Sequence, residues 1–401
     1  MKLNLRVLLS LSCLCAGFLA TTEKLNAVGF MLPNQDPEAI GRGDAFAATA
    51  DDPAAIYYNP AGITQLPDYS VSLGIYAISP STKYTSASGA TASTDSTFQY
   101  VPQVFAVASF TNVPISVGLG VYVPYGLALD WGVHAPFAAL AESGSLAYDC
   151  FNPVIAWRVC PSLSIAAGAT INYSQAEFNR AISVFPTNFK FSGDGYGYGF
   201  NAGILWQPHP KWSFGLNYRS STIIDYSGHI WTTPSPPLPP EASASATIKF
   251  PQYVTGAVSF RPTTNWNFEV DVNWADWDVV RGITFKDPTL GNPTLTLDMR
   301  SSFIYQVGAT RQLGHGYFVS LGYMYSEKSN PDAYYTPLIP DANLQLGNMA
   351  FGHRGKNWDW AIAYQFAYNG GRTVQNDNYV LPDGTYKTFN NAINVSTTFK
   401  F

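Results

Sequence analysis

The chain has 401 residues, of which 12% are charged and 15% aromatic, with 33 Gly, 28 Pro and a formal net charge of −5. It is too apolar and aromatic to be disordered, and too poor in charge to cover a soluble globule. No basic run or patch is present, which excludes nucleic acid as a partner.

At the N-terminus, Lys2 and Arg6 precede an uncharged apolar run from Val7 to Ala20. The run is too short to span a bilayer, so it predicts a secretory signal over residues 1–27, cleaved near Ala27. Cys13 and Cys15 lack the preceding Leu-x-Gly/Ala-like pattern of a lipid-attachment site, so lipidation is not expected. Cys150 and Cys160 flank the extended-looking "FNPVIAWRV". At ~3.3 Å per residue their thiols lie roughly 30 Å apart, beyond disulfide reach, and both are expected to be free.

Residues 28–68 follow as a segment of a different kind. "GRGDAFAATADDPAAIYYNPAGI" offers two short helical turns, with Asp44 and Asp51 or Asp52 as N-terminal caps. Asn59-Pro60 breaks the second turn. Ile40, Phe46, Ile56, Tyr57, Tyr58 and Ile63 make the segment too apolar for a free tail.

From residue 69 onward the chain alternates with period two. In "YGYGFNAGILW", Tyr196, Tyr198, Phe200, Ala202, Ile204 and Trp206 share one face, against Gly and Asn201 on the other. In "WNFEVDVNW", Trp266, Phe268, Val270, Val272 and Trp274 oppose Asn267, Glu269, Asp271 and Asn273. A soluble sandwich also alternates, but its exposed faces are rich in Lys and Glu. Large aromatics on one face with Gly, Asn and acids on the other suit lipid outside and a polar lumen inside. Candidate strands fall at 69–79, 100–110, 115–126, 151–159, 163–178, 194–208, 212–231, 242–262, 266–279, 302–313, 317–329, 344–355, 358–374 and 391–401. These fourteen alternate between short turns (111–114, 160–162, 209–211, 262–265, 313–316, 355–357) and long loops (80–99, 127–150, 179–193, 232–241, 280–301, 330–343, 375–390). Such sorting predicts an all-β, fourteen-stranded antiparallel transmembrane barrel with periplasmic turns and external loops. Trp212, Trp266 and Trp358 each follow a short turn, at the height of a periplasmic aromatic girdle. The last strand, "NAINVSTTFKF", places Phe399 and Phe401 on its apolar face and resembles the signal read by barrel-assembly machinery. A barrel this wide is not closed by wall side chains, so residues 28–68 are expected as a plug in front of a barrel at 69–401.

Several stretches, in order, resemble the FadL-type outer-membrane transporters of long-chain fatty acids and aromatic hydrocarbons (the OmpP1/FadL/TodX family). They are Gly29-Phe30, "GRGDAF" at 41–46, "DDPAAIYYNPAGI" with Asn59, Pro60 and Ala61, "VPYGLALDW" at 123–131, "DGYGYGFNAGILWQP" at 194–208 with the following "WSFGLNYRS", and the last strand. The resemblance implies a monomeric barrel in a Gram-negative outer membrane, carrying an N-terminal hatch and no cofactor. It also implies capture of a hydrophobic ligand at the external loops, transfer to a lumenal pocket, and lateral release at a kinked third strand. Here that strand is "ISVGLGVYVPYG". Gly118 and Gly120 weaken pairing and Pro124 donates no ladder hydrogen bond. A second reading has the glycines lining a crowded lumen and Pro124 ending the strand. The following loop, with Trp131, Val133, Phe137 and Leu140, is either a capture surface or packed on neighbouring loops. Where fatty-acid members hold the carboxylate with basic residues, the aligned strand-five position is Gln175, which simple alternation points outward. Arg180 and Arg219 are the other head-group candidates, and Arg219 has Glu269 and Asp271 as alternative partners. The Asn59-Pro60-Ala61 kink is expected to face strand three.

Two other functions compete. A general water-filled porin would show charged constriction rings and no apolar plug. A barrel enzyme is disfavoured because the five histidines (His134, His209, His229, His315, His353) are scattered and no Gly-x-Ser-x-Gly or His-Glu-x-x-His occurs. No metal constellation is evident, since no His/Cys pair has ligand spacing.

Overall fold

A computed structural model describes residues 30–110, 112–182, 187–233, 240–286, 292–375, 378 and 381–401. The expected signal segment and Gly29 lie outside these residues. Fourteen antiparallel passes close a barrel: β1 (Tyr69–Thr85), β2 (Gln99–Ser109), β3 (Ile115–Tyr122), β4 (Ser143–Cys160), β5 (Leu163–Ile182), β6 (Thr187–His209), β7 (Trp212–Arg219), β8 (Tyr253–Thr263), β9 (Trp266–Ala275), β10 (Ser302–Gly314), β11 (Tyr317–Ser326), β12 (Leu344–Arg354), β13 (Trp358–Tyr368) and β14 (Gly384–Lys400). The ring shuts by pairing β1 with β14, from Ser70–Lys400 to Thr85–Thr385. Closure leaves no sheet edge, which a bilayer requires.

The alternation read from the sequence is the inside–outside alternation of the wall. Tyr196, Tyr198 and Phe200 on β6 are exposed while Asn201 is buried, and Phe268 and Val270 on β9 are exposed while Glu269 and Asp271 are buried. Outward aromatics meet lipid, and inward polar groups meet the plug. Trp212 and Trp358 are exposed at the periplasmic ends of their strands, with Trp212 packed on Phe260 at 4.5 Å. The short turns from 160–162 onward stand where expected, while residue 111 of the turn at 111–114 lies outside the described residues. The turn at Gly314-His315-Gly316 has φ values of 93°, 52° and 82°.

Strands run further outward than the sequence indicated. β1 reaches Thr85, β4 starts at Ser143 and β14 at Gly384. Above the bilayer their Ser, Thr, Asn and Lys residues lose the apolar face and read as loop. Backbone pairing continues nonetheless, because each buried or shielded N–H and C=O still needs a partner. Half of the expected loop 127–150 is therefore ladder: Leu127–Asp130 pairs with Ser143–Leu146, and residues 131–142 are free of strand.

Residues 30–66 fill the lumen. They hold α1 (Pro37–Gly41), α2 (Ala55–Tyr58) and a 3-10 turn (Pro60–Gln65). Their core, with Phe46, Ile56 and Ile63 fully buried, is continuous with the inner wall.

Candidate functional site

Asp36 opens α1, its Oδ1 accepting from the amides of Glu38 (2.7 Å) and Ala39 (3.2 Å). Asp52 Oδ1 accepts from Ala54 N (2.8 Å) ahead of α2. Asp44 caps nothing: it turns at φ 63° and accepts from Asn34 Nδ2 and Tyr58 Oη. At Asn59 the helix stops because Pro60 cannot donate. The Asn59 amide replaces what is lost, its Oδ1 accepting from Ala61 N (3.2 Å) and its Nδ2 donating to Ala47 O (2.7 Å) and Ile204 O (3.0 Å). The kink thus hydrogen-bonds to β6, while α2 and the 3-10 turn on either side of it also lie against β3. Gly203 of β6 makes room for it, since a Cβ there would stand 2.9 Å from Pro60 Cδ.

The wall grips the plug through side chains. Asp271 Oδ2 accepts from the amides of Phe46 (3.0 Å) and Ala47 (2.9 Å), and Glu269 Oε1 from those of Ala48 (2.7 Å) and Thr49 (3.1 Å). At the periplasmic end Arg354 of β12 donates to Glu38 Oε2 (2.7 Å) and, with two nitrogens, to Asp51 (3.0 Å each). Burial opposes ionisation of Asp51, but the charge and hydrogen bonds of Arg354, with Arg261 and Arg42, outweigh it and hold the carboxyl low. Asp36 is the reverse case: burial, then Glu38, pushes its carboxyl up to about 6.

Gly118 and Gly120 lie under the plug. A Cβ on either would stand 2.8–2.9 Å from Ile56. Beyond Tyr122 the third pass leaves the wall. Its last partners are Val104 on β2 and Cys150 on β4, and pairing resumes at Leu127–Leu146. In between, residues 124–126 bend inward and pair with the plug, Leu32 N donating to Pro124 O and Gly126 N to Phe30 O, each at 2.8 Å. Gly118 and Gly120 keep ladder partners on both sides (Val107 and Val154, Phe105 and Asn152), so the pairing they were expected to weaken is intact. Only Pro124 sits at the interruption of the wall, and the plug covers it.

Of the head-group candidates, Gln175 faces outward and accepts only a local role, donating to Tyr173 Oη (2.8 Å). Period-two alternation puts its neighbours Ser174 and Ala176 inside, so Gln175 is not lumenal. Arg180 lies at the outer end of β5, stacked on Phe189, beside a cleft of about 70 Å³ lined by Leu140, Phe178, Phe285 and Leu338. Only Arg219 is in the lumen. It is 4% exposed, with its guanidinium 5.2–5.7 Å from the rings of Tyr57, Tyr122 and Tyr253. Its Nε donates to Tyr253 Oη (2.8 Å), and Nη2 has no partner among the described residues. Glu269 and Asp271 do not pair with it, being engaged by plug amides. Beyond Arg219, Phe30, Tyr125, Tyr148, Phe250 and Trp277 form an aromatic box with ring centroids 4.6–6.5 Å apart. Sequence reading missed Tyr253 and Trp277, although the "FPQY" interruption of the eighth pass at 250–253 was a visible signal.

Trp131, Phe137 and Leu140 are buried and Val133 is 57% exposed. Trp131 Nε1 donates to Pro337 O (3.0 Å), and its ring and Phe137 join Tyr84 and Tyr386 in a cap over the barrel mouth. Of the two readings, packing on neighbouring loops describes Trp131 and Phe137, while Leu140 also lines the cleft. Cys150 is buried and free, and Cys160 exposed and free.

Solved structures share this architecture. A FadL homologue from Pseudomonas aeruginosa superposes with a TM-score of 0.84 at 18% identity, over 93% of this chain and 100% of that one. The toluene transporter TbuX of Ralstonia pickettii does so with 0.72 at 16%, over 92% and 100%. The long-chain fatty acid transport protein of Escherichia coli O6:H1 is 27% identical over 266 residues, 58% of this chain. The chain spans 59% of that relative's length. The pattern of the outer membrane protein transport protein family (OMPP1/FadL/TodX) matches residues 18–401, and the chain belongs to that family.

Proposed function

We propose that the protein takes up hydrophobic small molecules across the outer membrane, and that those it holds best carry a carboxylate, as long-chain fatty acids do. The observation carrying this reading is Arg219: a buried guanidinium whose Nη2 has no partner among the described residues, at the edge of a packed aromatic cluster. A buried cation without an acidic partner is costly, and a ligand carboxylate removes that cost. Capture takes place at the external cleft, where Leu140 supplies apolar surface and Arg180 charge. Release is lateral, at the interruption after Tyr122, when residues 30–32 withdraw from Pro124–Gly126. Val133 adds an exposed apolar side chain to the loop that carries Leu140. Residues 1–27 act as the signal, 28–68 as the hatch and 69–401 as the barrel, which works as a monomer and shows Phe399 and Phe401 to the assembly machinery. A general porin fits less well, because the lumen is filled by residues 30–66.

The test is equilibrium binding of oleate and of toluene to the purified protein and to Arg219→Gln. Loss of a charge-assisted hydrogen bond weakens oleate by roughly ten- to a hundredfold and leaves toluene within a few fold. Equal oleate affinity in both proteins rejects the head-group role, and steady open currents from the intact chain in planar bilayers reject the transporter reading.

A further inference from the structure

Between the plug and the wall lies a cavity of about 20 Å³, with Asp44, Asn217, Thr255, Asp271, Asn273 and Gln306 on its surface. It is too small for an organic ligand. Three of its oxygens have no hydrogen-bond partner: Asp271 Oδ1, Asn217 Oδ1 and Asn273 Oδ1. Their residues are 1%, 1% and 5% exposed, so bulk water does not serve them. The Asn217 amide is oriented by its donation to Tyr57 O (3.4 Å), which turns the oxygen away from that bond. Asn273 makes no side-chain hydrogen bond among the described residues. Asp271 has spent its other oxygen on the amides of Phe46 and Ala47, and Asp44 accepts from Asn34 and Tyr58.

Charge is as unbalanced as hydrogen bonding. Asp44 and Asp271 both border the cavity and neither has an ion-pair partner among the described residues. Arg42, the nearest hatch cation, is committed to Glu269 (3.7 Å) and Glu38 (4.0 Å). Arg219 is held on the far side of Tyr253, to whose hydroxyl it donates. Two carboxylates, two amide oxygens and a hydroxyl, with no nitrogen or sulfur donor, make an oxygen-only set suited to a hard cation. When ionised, the two carboxyls together match the charge of a divalent ion. The irregular set, drawn from a hatch turn and three strands, suits Ca²⁺, which accepts six to eight oxygens in flexible geometry, better than octahedral Mg²⁺.

The geometry points to a calcium-type cation site that ties Asp44 of the hatch to Asn217, Asp271 and Asn273 of the wall. An ion there cross-links the plug to β7 and β9, so its binding and the seating of the hatch are one equilibrium.

The experiment uses the full-length protein in detergent, stripped with EGTA and equilibrated with ⁴⁵Ca²⁺ alone. One equivalent bound at saturation is expected in the parent. About tenfold or greater loss of affinity is expected in Asp271→Asn and in Asn273→Ala. Asn273→Ala removes no hydrogen bond of the fold, so loss there is not a folding defect, and heat-modifiable migration confirms the barrel in each variant. Calcium should also protect residues 44–66 from hydrogen exchange in the parent and not in the variants. No ion bound at millimolar calcium, or equal binding in parent and both variants, overturns the site.

Discussion

Asn59 and Gly203 show how far single residues carry this molecule. Asn59 ends a helix that proline has cut and ties the broken end to both Ala47 and the wall, and it was legible because Asn-Pro is a local signal. Arg219 was legible only as a cation. Its isolation arises because hatch amides engage Glu269 and Asp271, a long-range fact that alternation does not carry. Asp36 supplies a prediction at this scale. Its carboxyl is raised from 3.8 to about 6, so the folded hatch binds the proton more tightly than the unfolded segment. The stability it contributes is fully present below 3.8 and is lost as pH rises through about 6. That difference amounts to roughly 3 kcal/mol at most. Asp51 has the opposite sign, since its pairing with Arg354 is lost only in acid below the ordinary carboxylate range. Hydrogen exchange in residues 36–42 is therefore expected to be faster at about pH 7.5 than at about pH 5, after correction for the intrinsic rate. Asp36→Asn keeps the cap and should flatten that part of the slope. An unchanged slope in Asp36→Asn assigns the pH response elsewhere.

At the scale of elements, the number of passes and their faces were readable because lipid demands an unbroken apolar stripe on every strand. Strand ends were not readable on the outer side, where that demand stops and Ser-, Thr- and Lys-rich ladder resembles loop. The third pass was half legible: Pro124 marked the weak place, while its glycines, read as weakening the ladder, stay paired and instead admit Ile56. That the weak place pairs with Phe30–Leu32 depends on the hatch being in position. Wall glycines are the docking surface of the hatch, and this makes a prediction about how two elements fit. A Cβ at Gly203 meets the Asn59-Pro60 kink, whereas a Cβ at Gly256, on the outer face of β8, meets nothing within 4 Å. Gly203→Val is expected to unseat residues 44–66, read as new protease cleavage there, while the barrel keeps its heat-modifiable migration. Gly256→Val should behave as the parent. Equal protease resistance in Gly203→Val and the parent rules out close docking at β6.

The whole molecule is a barrel held shut on itself and a hatch held shut within it, by different forces. The barrel closes through sixteen register pairs between β1 and β14, all independent of the plug. The hatch is seated by polar side chains of the wall: Asp271, Glu269, Asn201, Asn217 and Arg354. Removing the hatch leaves these groups facing a lumen that water enters, and hydrated polar groups cost little compared with buried unpaired ones. Deletion of residues 30–66 behind an intact signal should therefore yield a folded, heat-modifiable barrel. Lost too are Ile56 against Gly118 and Gly120, and the Phe30–Leu32 bridge to residues 124–126, so nothing then spans the lumen at mid-height. Steady ion conductance in planar bilayers is the expected outcome, against near-silence of the full chain. A deleted barrel that folds yet stays closed would mean that the aromatic cap of Tyr84, Trp131, Phe137 and Tyr386 seals the mouth by itself, and the hatch would no longer be the gate.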